Sequence, residues 1–128
     1  MIDISDVIKI HKLLIVKYGG LEGIRDKGLL DSSINRPFQT FSKNELYPSV
    51  IDKASVLIES IVKNHPFVDG NKRVGLYLCL VFLQQNGYKI DATDNEKYDF
   101  VILIAESKIN FENIKTWIYS HTKIHTKS

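Results

Sequence analysis

The chain is poor in cysteine, methionine and proline, and it has no long apolar run. Its single cysteine, Cys79, excludes a disulfide within the chain, fits a reducing cytoplasm and is expected to be buried. The longest apolar run, residues 76–83, is far shorter than the roughly 20 residues of a membrane span, so we expect no membrane association. Residues 1–6 show no basic region before an apolar segment, so we expect a cytoplasmic protein without a signal peptide.

An excess of charge of one sign is also lacking. The 17 basic and 15 acidic residues give a formal net charge of +2, and no dense basic run occurs, so we expect no nucleic-acid partner. A hydrophobic content of 44% and a charged content of 25% are ordinary for a soluble globular protein. We predict one domain over residues 1–120 and a polar tail over residues 121–128, whose histidines are expected to be solvated.

Apolar residues recur at helical spacing along almost the whole chain, which predicts an all-α fold of about six helices. No convincing strand pattern occurs, and residues 88–91 could form a short extended piece at most. The predicted helices cover residues 4–18, 27–35, 48–64, 71–85, 93–105 and 110–120, with Pro48 in a first turn and Thr93 and Glu96 forming a capping box. Residues 71–85 are apolar on every side, which predicts a buried central helix. His11 lies on an apolar stripe and is expected to be a hydrogen-bonded core histidine.

The loop before this central helix concentrates the chemically useful side chains. Residues 65–73 read His-Pro-Phe-Val-Asp-Gly-Asn-Lys-Arg. His65 could take a proton from a hydroxyl, and Asp69 is a hard oxygen ligand suited to magnesium held mainly by substrate phosphates. Phe67 is expected to point inward and to pin the loop to the core.

The second half of this loop predicts an anion site. Gly70 and Asn71 permit a turn that places the free N–H groups of the following helix around an anion. Lys72 adds a point charge, and Arg73 adds a planar fork for phosphate oxygens. Each residue type alone is common at helix ends, but together at this spacing they indicate transfer of a nucleotide phosphate.

These nine residues resemble the signature of the Fic/Doc superfamily, His-Pro-Phe-x-x-Gly-Asn-x-Arg, at every fixed position. Lys72 stands where Fic nucleotidyl transferases usually carry glycine, and Asp69 is typical of the death-on-curing (Doc) toxin branch. Upstream, residues 18–26, 28–30 and 36–37 are also similar to Doc proteins. The resemblance covers most of the chain.

The resemblance implies an all-helical Fic fold and a toxin of a toxin–antitoxin pair. Doc-type relatives phosphorylate a threonine of elongation factor Tu, with ATP and Mg²⁺ as cofactors. By position, His65 would activate the target hydroxyl, Asp69 would hold magnesium and residues 70–73 would bind the phosphates of ATP. Such chemistry is mostly positioning and charge stabilisation.

Residue 72 bears on the reaction type within the family. A glycine there leaves the α-phosphate open to attack, and AMP is transferred. A lysine fills that space, so the resemblance implies that ATP binds reversed, with its γ-phosphate toward His65. Two alternatives stay open: an AMP transferase on the same scaffold, and a catalytically silent binding module.

Control of the activity is expected to come from a separate protein. Many Fic proteins carry an inhibitory helix with the pattern Ser/Thr-x-x-x-Glu-Gly/Asn, and residues 55–60 come closest to it without completing it, because Ser60 breaks the pattern. The resemblance therefore implies a cognate antitoxin, Phd-like or similar, that brings an acidic residue near Arg73.

The residue types also predict roles for two further segments. Residues 37–47 form the longest irregular stretch, and their aromatic residues Phe38, Phe41 and Tyr47 predict a loop that binds the target over the active site. Residues 19–23 are rich in glycine but lack the Gly-Lys-Ser/Thr ending of a phosphate-binding loop and follow no strand. We interpret them as a turn that ends a helix, with Arg25 and Asp26 making local hydrogen bonds.

Overall fold

The structure is a computed structural model that describes residues 2–124. Its helices are α1 (Ile4–Tyr18), α2 (Lys27–Asn35), α3 (Val50–Asn64), α4 (Asn71–Gln85), α5 (Asp94–Ala105) and α6 (Phe111–His121). A 3-10 turn, Arg36–Phe38, follows α2, and the short strands are β1 (Thr40–Phe41), β2 (Asn44–Glu45), β3 (Tyr88–Ile90) and β4 (Thr122–Ile124). The prediction of an all-α fold with about six helices is confirmed.

Side-chain caps set the start of every helix except α4. The capping residues are Asp3, Asp26, Ser49, Thr93 and Asn110, each accepting a hydrogen bond from a backbone N–H of its helix. The predicted capping box at the start of α5 is present. The prediction that Pro48 lies in the first turn of α3 was wrong. Ser49 is the cap of α3, because its hydroxyl accepts from the N–H of Asp52, and Pro48 precedes this cap.

Helix α3 lies at the centre of the fold, in contact with α2, α4, α5 and α6. One apolar cluster fills the space between α3, α4, α5 and α6, and a second lies beneath α1 and α2. Phe67, from the loop before α4, belongs to the second cluster and is 1% exposed, so the predicted inward position of this ring is confirmed. Cys79 is buried in the first cluster, and burial raises its thiol pKa to about 12, which makes the thiol unreactive.

Helix α4 is apolar along its contact with α3 but is not enclosed on every side. Val74 and Leu83 are fully buried, whereas Tyr77 is exposed and borders a cleft. The prediction that α4 is apolar all round therefore needs correction, because one of its faces is open to this cleft.

Two strand pairs complete the fold. Strands β1 and β2 form an antiparallel hairpin inside residues 37–47, where the sequence predicted only an irregular loop. Strand β3 agrees with the short extended piece predicted near residue 88, and it pairs with β4 near the end of the chain. His121 ends α6 and is half-buried against Trp117, so this histidine of the predicted tail packs on the domain and is not solvated as predicted. Residues 125–128, including His125 of the predicted tail, lie outside the described residues.

None of the helices in residues 2–124 combines the length and the apolar character that crossing a membrane requires.

Helices α3 and α4 pack closely at Gly75. A Cβ atom built there would lie 2.9 Å from Cγ2 of Val62 and 3.7 Å from the carbonyl oxygen of Ile58. Such a contact leaves no room for a side chain unless the helices separate. Gly75 therefore sets the spacing of the two helices that flank the loop of residues 65–70.

We predict that Gly75→Val lowers the free energy of unfolding by about 1–3 kcal/mol, because the added methyl groups overpack the α3–α4 contact. The matched control is Gln84→Val, which places the same side chain at an exposed position of α4 and should change stability by less than about 0.5 kcal/mol. Urea denaturation followed by circular dichroism measures both. Equal stability of the two variants would contradict the close packing at Gly75.

Candidate active site

The N-terminus of α4 is the part of the fold best prepared for an anion. Gly70 precedes the helix with a φ of 78° and provides no capping side chain. Among the described residues, the backbone N–H groups of Asn71, Lys72 and Arg73 have no hydrogen-bond partner. They lie at the positive end of the helix dipole, so this terminus favours a negatively charged ligand.

A cleft of about 510 Å³ opens at this helix end and continues between α1, α4 and α5. Its polar lining contains Asp69, Gly70, Asn71, Lys72 and Arg73, the residues that the sequence predicted for metal and phosphate binding. Its wall is apolar and aromatic, with side chains from Leu14, Tyr18, Leu76, Tyr77, Leu80, Tyr98 and Val101. A volume of this size and a lining of this kind suit a small organic ligand that carries phosphates.

The carboxylate of Asp69 is held in place by two backbone N–H groups. Leu21 donates to Oδ2 at 3.0 Å, and Gly70 donates to Oδ1 at 2.9 Å. These bonds, the one from Leu21 first, lower the pKa of Asp69 below its ordinary value, so the group is anionic at neutral pH. Gly20 allows this contact, because a Cβ there would lie 2.7 Å from Oδ2 of Asp69.

This geometry explains the glycine-rich stretch of residues 19–23. The stretch ends α1, as predicted, and it also supplies the backbone that fixes Asp69. Each carboxylate oxygen of Asp69 accepts one N–H and keeps a lone pair, which fits one ligand of a magnesium ion. Residues 2–124 contain no group of three His, Cys, Asp or Glu side chains that could hold a metal ion.

The side chain of Asn71 is directed back to the loop. It is buried, its Oδ1 accepts from the N–H of Phe67 at 2.9 Å, and its Nδ2 donates to the carbonyl of Phe67 at 3.0 Å. Both backbone groups of Phe67 are thereby satisfied inside the protein. A contact from Asn71 to phosphate stays a prediction, and its backbone N–H is the group in position to make it.

His11 supports the same loop from α1. Its ring stacks on Phe67, with centroids 3.8 Å apart, and its Nε2 lies 2.7 Å from the carbonyl oxygen of Asp69. A carbonyl oxygen only accepts, so Nε2 carries the proton and donates. The prediction of a hydrogen-bonded core histidine is confirmed, but its partner in the loop was not predicted, since periodicity says nothing about contacts between distant segments.

The two cations of the loop differ in their surroundings. The guanidinium of Arg73 lies over the ring of Tyr18, 4.4 Å from its centroid, at the end of α1. Lys72 is exposed at the cleft. The stacking on Tyr18, which also lines the cleft, fixes the planar fork of Arg73 at this site.

His65 lies apart from these groups. It caps the end of α3 with φ 49° and ψ 57°, is exposed and is not among the residues that line the cleft. The prediction that α3 ends near Asn64 is confirmed. The structure thus brings Asp69 to Arg73 together in one cleft, while the role of His65 as a base stays a prediction.

The hydrogen-bond partners predicted for Arg25, which lies near the site, were wrong. It was expected to make local hydrogen bonds, but its Nε donates to the carbonyl of His65 at 2.6 Å and its Nη2 to the carbonyl of Asn64 at 2.7 Å. Asp26 does bond locally, as the cap of α2. The 40-residue separation explains the error, because nothing in the pattern near Arg25 indicates which helix end it reaches.

The aromatic side chains of the segment 37–47 do not line the cleft. Phe38 packs against Phe82 near the C-terminal end of α4, and Tyr47 packs against Phe111 of α6. The α4 residues that line the cleft run from Asn71 to Leu80, and Phe82 lies beyond them, nearer the C-terminal end of the helix. Phe41 is 73% exposed on the hairpin. None of these three aromatic side chains lines the cleft, and the role of this loop in target binding stays a prediction.

We predict that Asn71→Ala lowers the free energy of unfolding by about 2 kcal/mol or more, because two buried backbone groups of Phe67 lose their partner. Asn86→Ala is the matched control. Its amide also donates to the carbonyl four residues earlier, that of Phe82, but in an exposed position, so the cost should be about 0.5 kcal/mol. Thermal denaturation measures both, and similar losses would contradict a special role of Asn71 in the loop.

Comparison with known proteins places the chain in a family. A model of the Fic/DOC family matches residues 1–83. The chain is 38% identical to Toxin Doc of Mycolicibacterium smegmatis over 95 residues, which cover 74% of this chain and 68% of that protein. It is 29% identical to Protein kinase doc of Escherichia phage P1 over 110 residues, which cover 86% of each. With its family motif at the N-terminus of α4 and matches over most of its length, this chain belongs to the Fic/Doc family.

Proposed function

We propose that this protein is a Doc-type toxin that transfers the γ-phosphate of ATP to a hydroxyl of a protein target. The target would be a threonine of a translation factor such as elongation factor Tu. The observation that carries the proposal is the uncapped N-terminus of α4, with Asp69, Lys72 and Arg73 beside it in one cleft. This arrangement provides charge stabilisation for a phosphate group during transfer.

Two relatives support the reaction class and the physiological role. One is named Toxin Doc and the other Protein kinase doc. A toxin of this kind works with a cognate antitoxin, Phd-like or similar, and we expect such a partner here. Residues 55–60 give no internal substitute, because Ser55 and Ser60 are buried in α3.

The chain's own groups would act as follows. The N–H groups at the start of α4, with Lys72 and Arg73, bind the phosphates of ATP and stabilise charge that develops during transfer. Asp69, anionic and fixed by Leu21 and Gly70, would hold Mg²⁺, which neutralises phosphate charge when bound. His65 would take the proton of the target hydroxyl. The hydroxyl oxygen then bonds to the γ-phosphorus while the bond from that phosphorus to ADP breaks. Hydrogen bonds of a general base often form only in the complex with substrate, so the exposure of His65 is compatible with this role.

We predict that His65→Ala lowers the rate of γ-phosphate transfer by about 10²–10⁴-fold, the usual contribution of a general base. The fold should be unchanged, because the imidazole is exposed and makes no hydrogen bond within the described residues. Transfer of ³²P from γ-labelled ATP to purified elongation factor Tu measures the rate, and circular dichroism monitors the fold. Retained activity with a normal fold would remove His65 from the role of base.

Lys72 provides the test of reaction type. If its side chain prevents the α-phosphate from facing the target hydroxyl, Lys72→Gly should lower phosphorylation and open a route to AMP transfer. Lys72→Met is the control for charge alone, since it removes the ammonium group but keeps an unbranched side chain of similar length and a good helix former. Mass spectrometry of the target after incubation with ATP and Mg²⁺ distinguishes the adducts. An AMP adduct formed by the unmodified protein would contradict the kinase proposal and favour the AMP-transferase alternative.

A further inference from the structure

The end of α3 is held by a residue from a distant part of the chain. The guanidinium of Arg25 donates from Nε to the carbonyl of His65 and from Nη2 to the carbonyl of Asn64, at 2.6 and 2.7 Å. The backbone N–H groups of Arg25 and Asp26 both donate to the carbonyl of Pro66, at 2.8 and 3.0 Å. Three consecutive carbonyl groups, from Asn64 to Pro66, therefore have partners in a two-residue segment.

The backbone at His65 requires such support. Its φ of 49° lies in the left-handed region, which non-glycine residues adopt rarely and at an energetic cost. Most helices that end in this conformation use glycine at the position. Here a residue with a large functional side chain occupies it, so contacts elsewhere must hold the conformation.

Arginine is well suited to this support. The last carbonyl groups of a helix lack intrahelical partners and lie at the negative end of its dipole, where a cation is favourable. The fork of a guanidinium donates to two neighbouring oxygens at once, whereas an ammonium group is a single centre. The pair of bonds from Arg25 therefore fixes the orientation of the peptide units on both sides of His65.

We propose that Arg25 is a positioning residue for His65: it holds the main chain of His65 in the left-handed conformation that carries the imidazole beyond the end of α3. The inference rests on the proposed role of His65 as the general base. Arg25 does not line the cleft, and its guanidinium donates to the two carbonyl oxygens that flank His65. Its effect passes through the backbone.

A second arginine offers a matched control. Arg36 also binds α3, through Glu59 at 3.4 Å and the hydroxyl of Ser60 at 3.0 Å, but away from the loop of residues 65–70. Arg36→Ala removes a guanidinium that braces the same helix without touching His65. A purely structural role of Arg25 would make the two alanine variants behave alike.

The kinetic experiment compares kcat and the KM for ATP in the full chain and its variants, with purified elongation factor Tu and γ-labelled ATP. Arg25→Ala should lower kcat by about tenfold or more with little change in KM, because a small displacement of a reacting group is costly. Arg25→Lys, which keeps one donor centre, should recover part of kcat, and Arg36→Ala should leave kcat unchanged. Equal kcat for Arg25→Ala and Arg36→Ala would overturn the proposal, as would a rise in KM with constant kcat.

A spectroscopic experiment separates this inference from the proposed function. Backbone ¹³C and ¹⁵N chemical shifts report φ and ψ at His65 in the unmodified protein and in Arg25→Ala. Arg25→Lys, which keeps one donor centre, should show a smaller change in the same direction, and it replaces Arg25→Ala if that variant does not fold. A shift away from left-handed values at His65, with residues of α6 unchanged, supports the positioning role. Unchanged shifts at His65 overturn it. If the unmodified protein transfers no phosphate, the proposed function fails, while the chemical shifts still decide what Arg25 does to the backbone.

Discussion

The site depends on one constraint: the loop of residues 64–71 is fixed by the segment of residues 20–26. Backbone groups of Gly23, Arg25 and Asp26 bond to Val68 and Pro66, the guanidinium of Arg25 holds the end of α3, and the N–H of Leu21 holds Asp69. Below the loop, the buried ring of Phe67 stacks on His11. A loop between two helices would otherwise be mobile, and these contacts keep the start of α4 rigid enough to bind a ligand in one geometry.

The start of α4 combines unpaired N–H groups, at the positive end of the helix dipole, with one anionic side chain, that of Asp69. The other five helices use Asp, Ser, Thr or Asn caps, whereas α4 begins at a glycine and leaves three N–H groups for a ligand. The absence of a capping side chain typically lowers stability by about 1 kcal/mol. A bound anion at the helix N-terminus can take the place of such a cap. Asp69 does not serve as that cap, because its carboxylate is held toward Leu21 and Gly70. It therefore remains available for a cation beside the phosphates.

The sequence predicted the helices well, but it did not predict the cap of α3 or the hairpin of β1 and β2. Helical periodicity and capping residues predicted six helices, all of them within two residues of their observed starts, because these signals are local. Pro48 was placed in the first turn of α3, since proline suits that position, but the hydroxyl of Ser49 makes the cap. The hairpin of β1 and β2 was missed, because its strands are two residues each and show no alternation.

The sequence by itself determined the chemistry of the loop of residues 65–73 and the family to which the chain belongs, since side-chain type and spacing are local properties. Only the tertiary structure decided what each residue contacts. It turned the amide of Asn71 toward Phe67, linked Arg25 to His65 across 40 positions, and packed Phe38 against Phe82 and Tyr47 against Phe111, outside the cleft. These outcomes depend on how α1, α3 and α4 pack together, and packing joins residues that no local pattern relates.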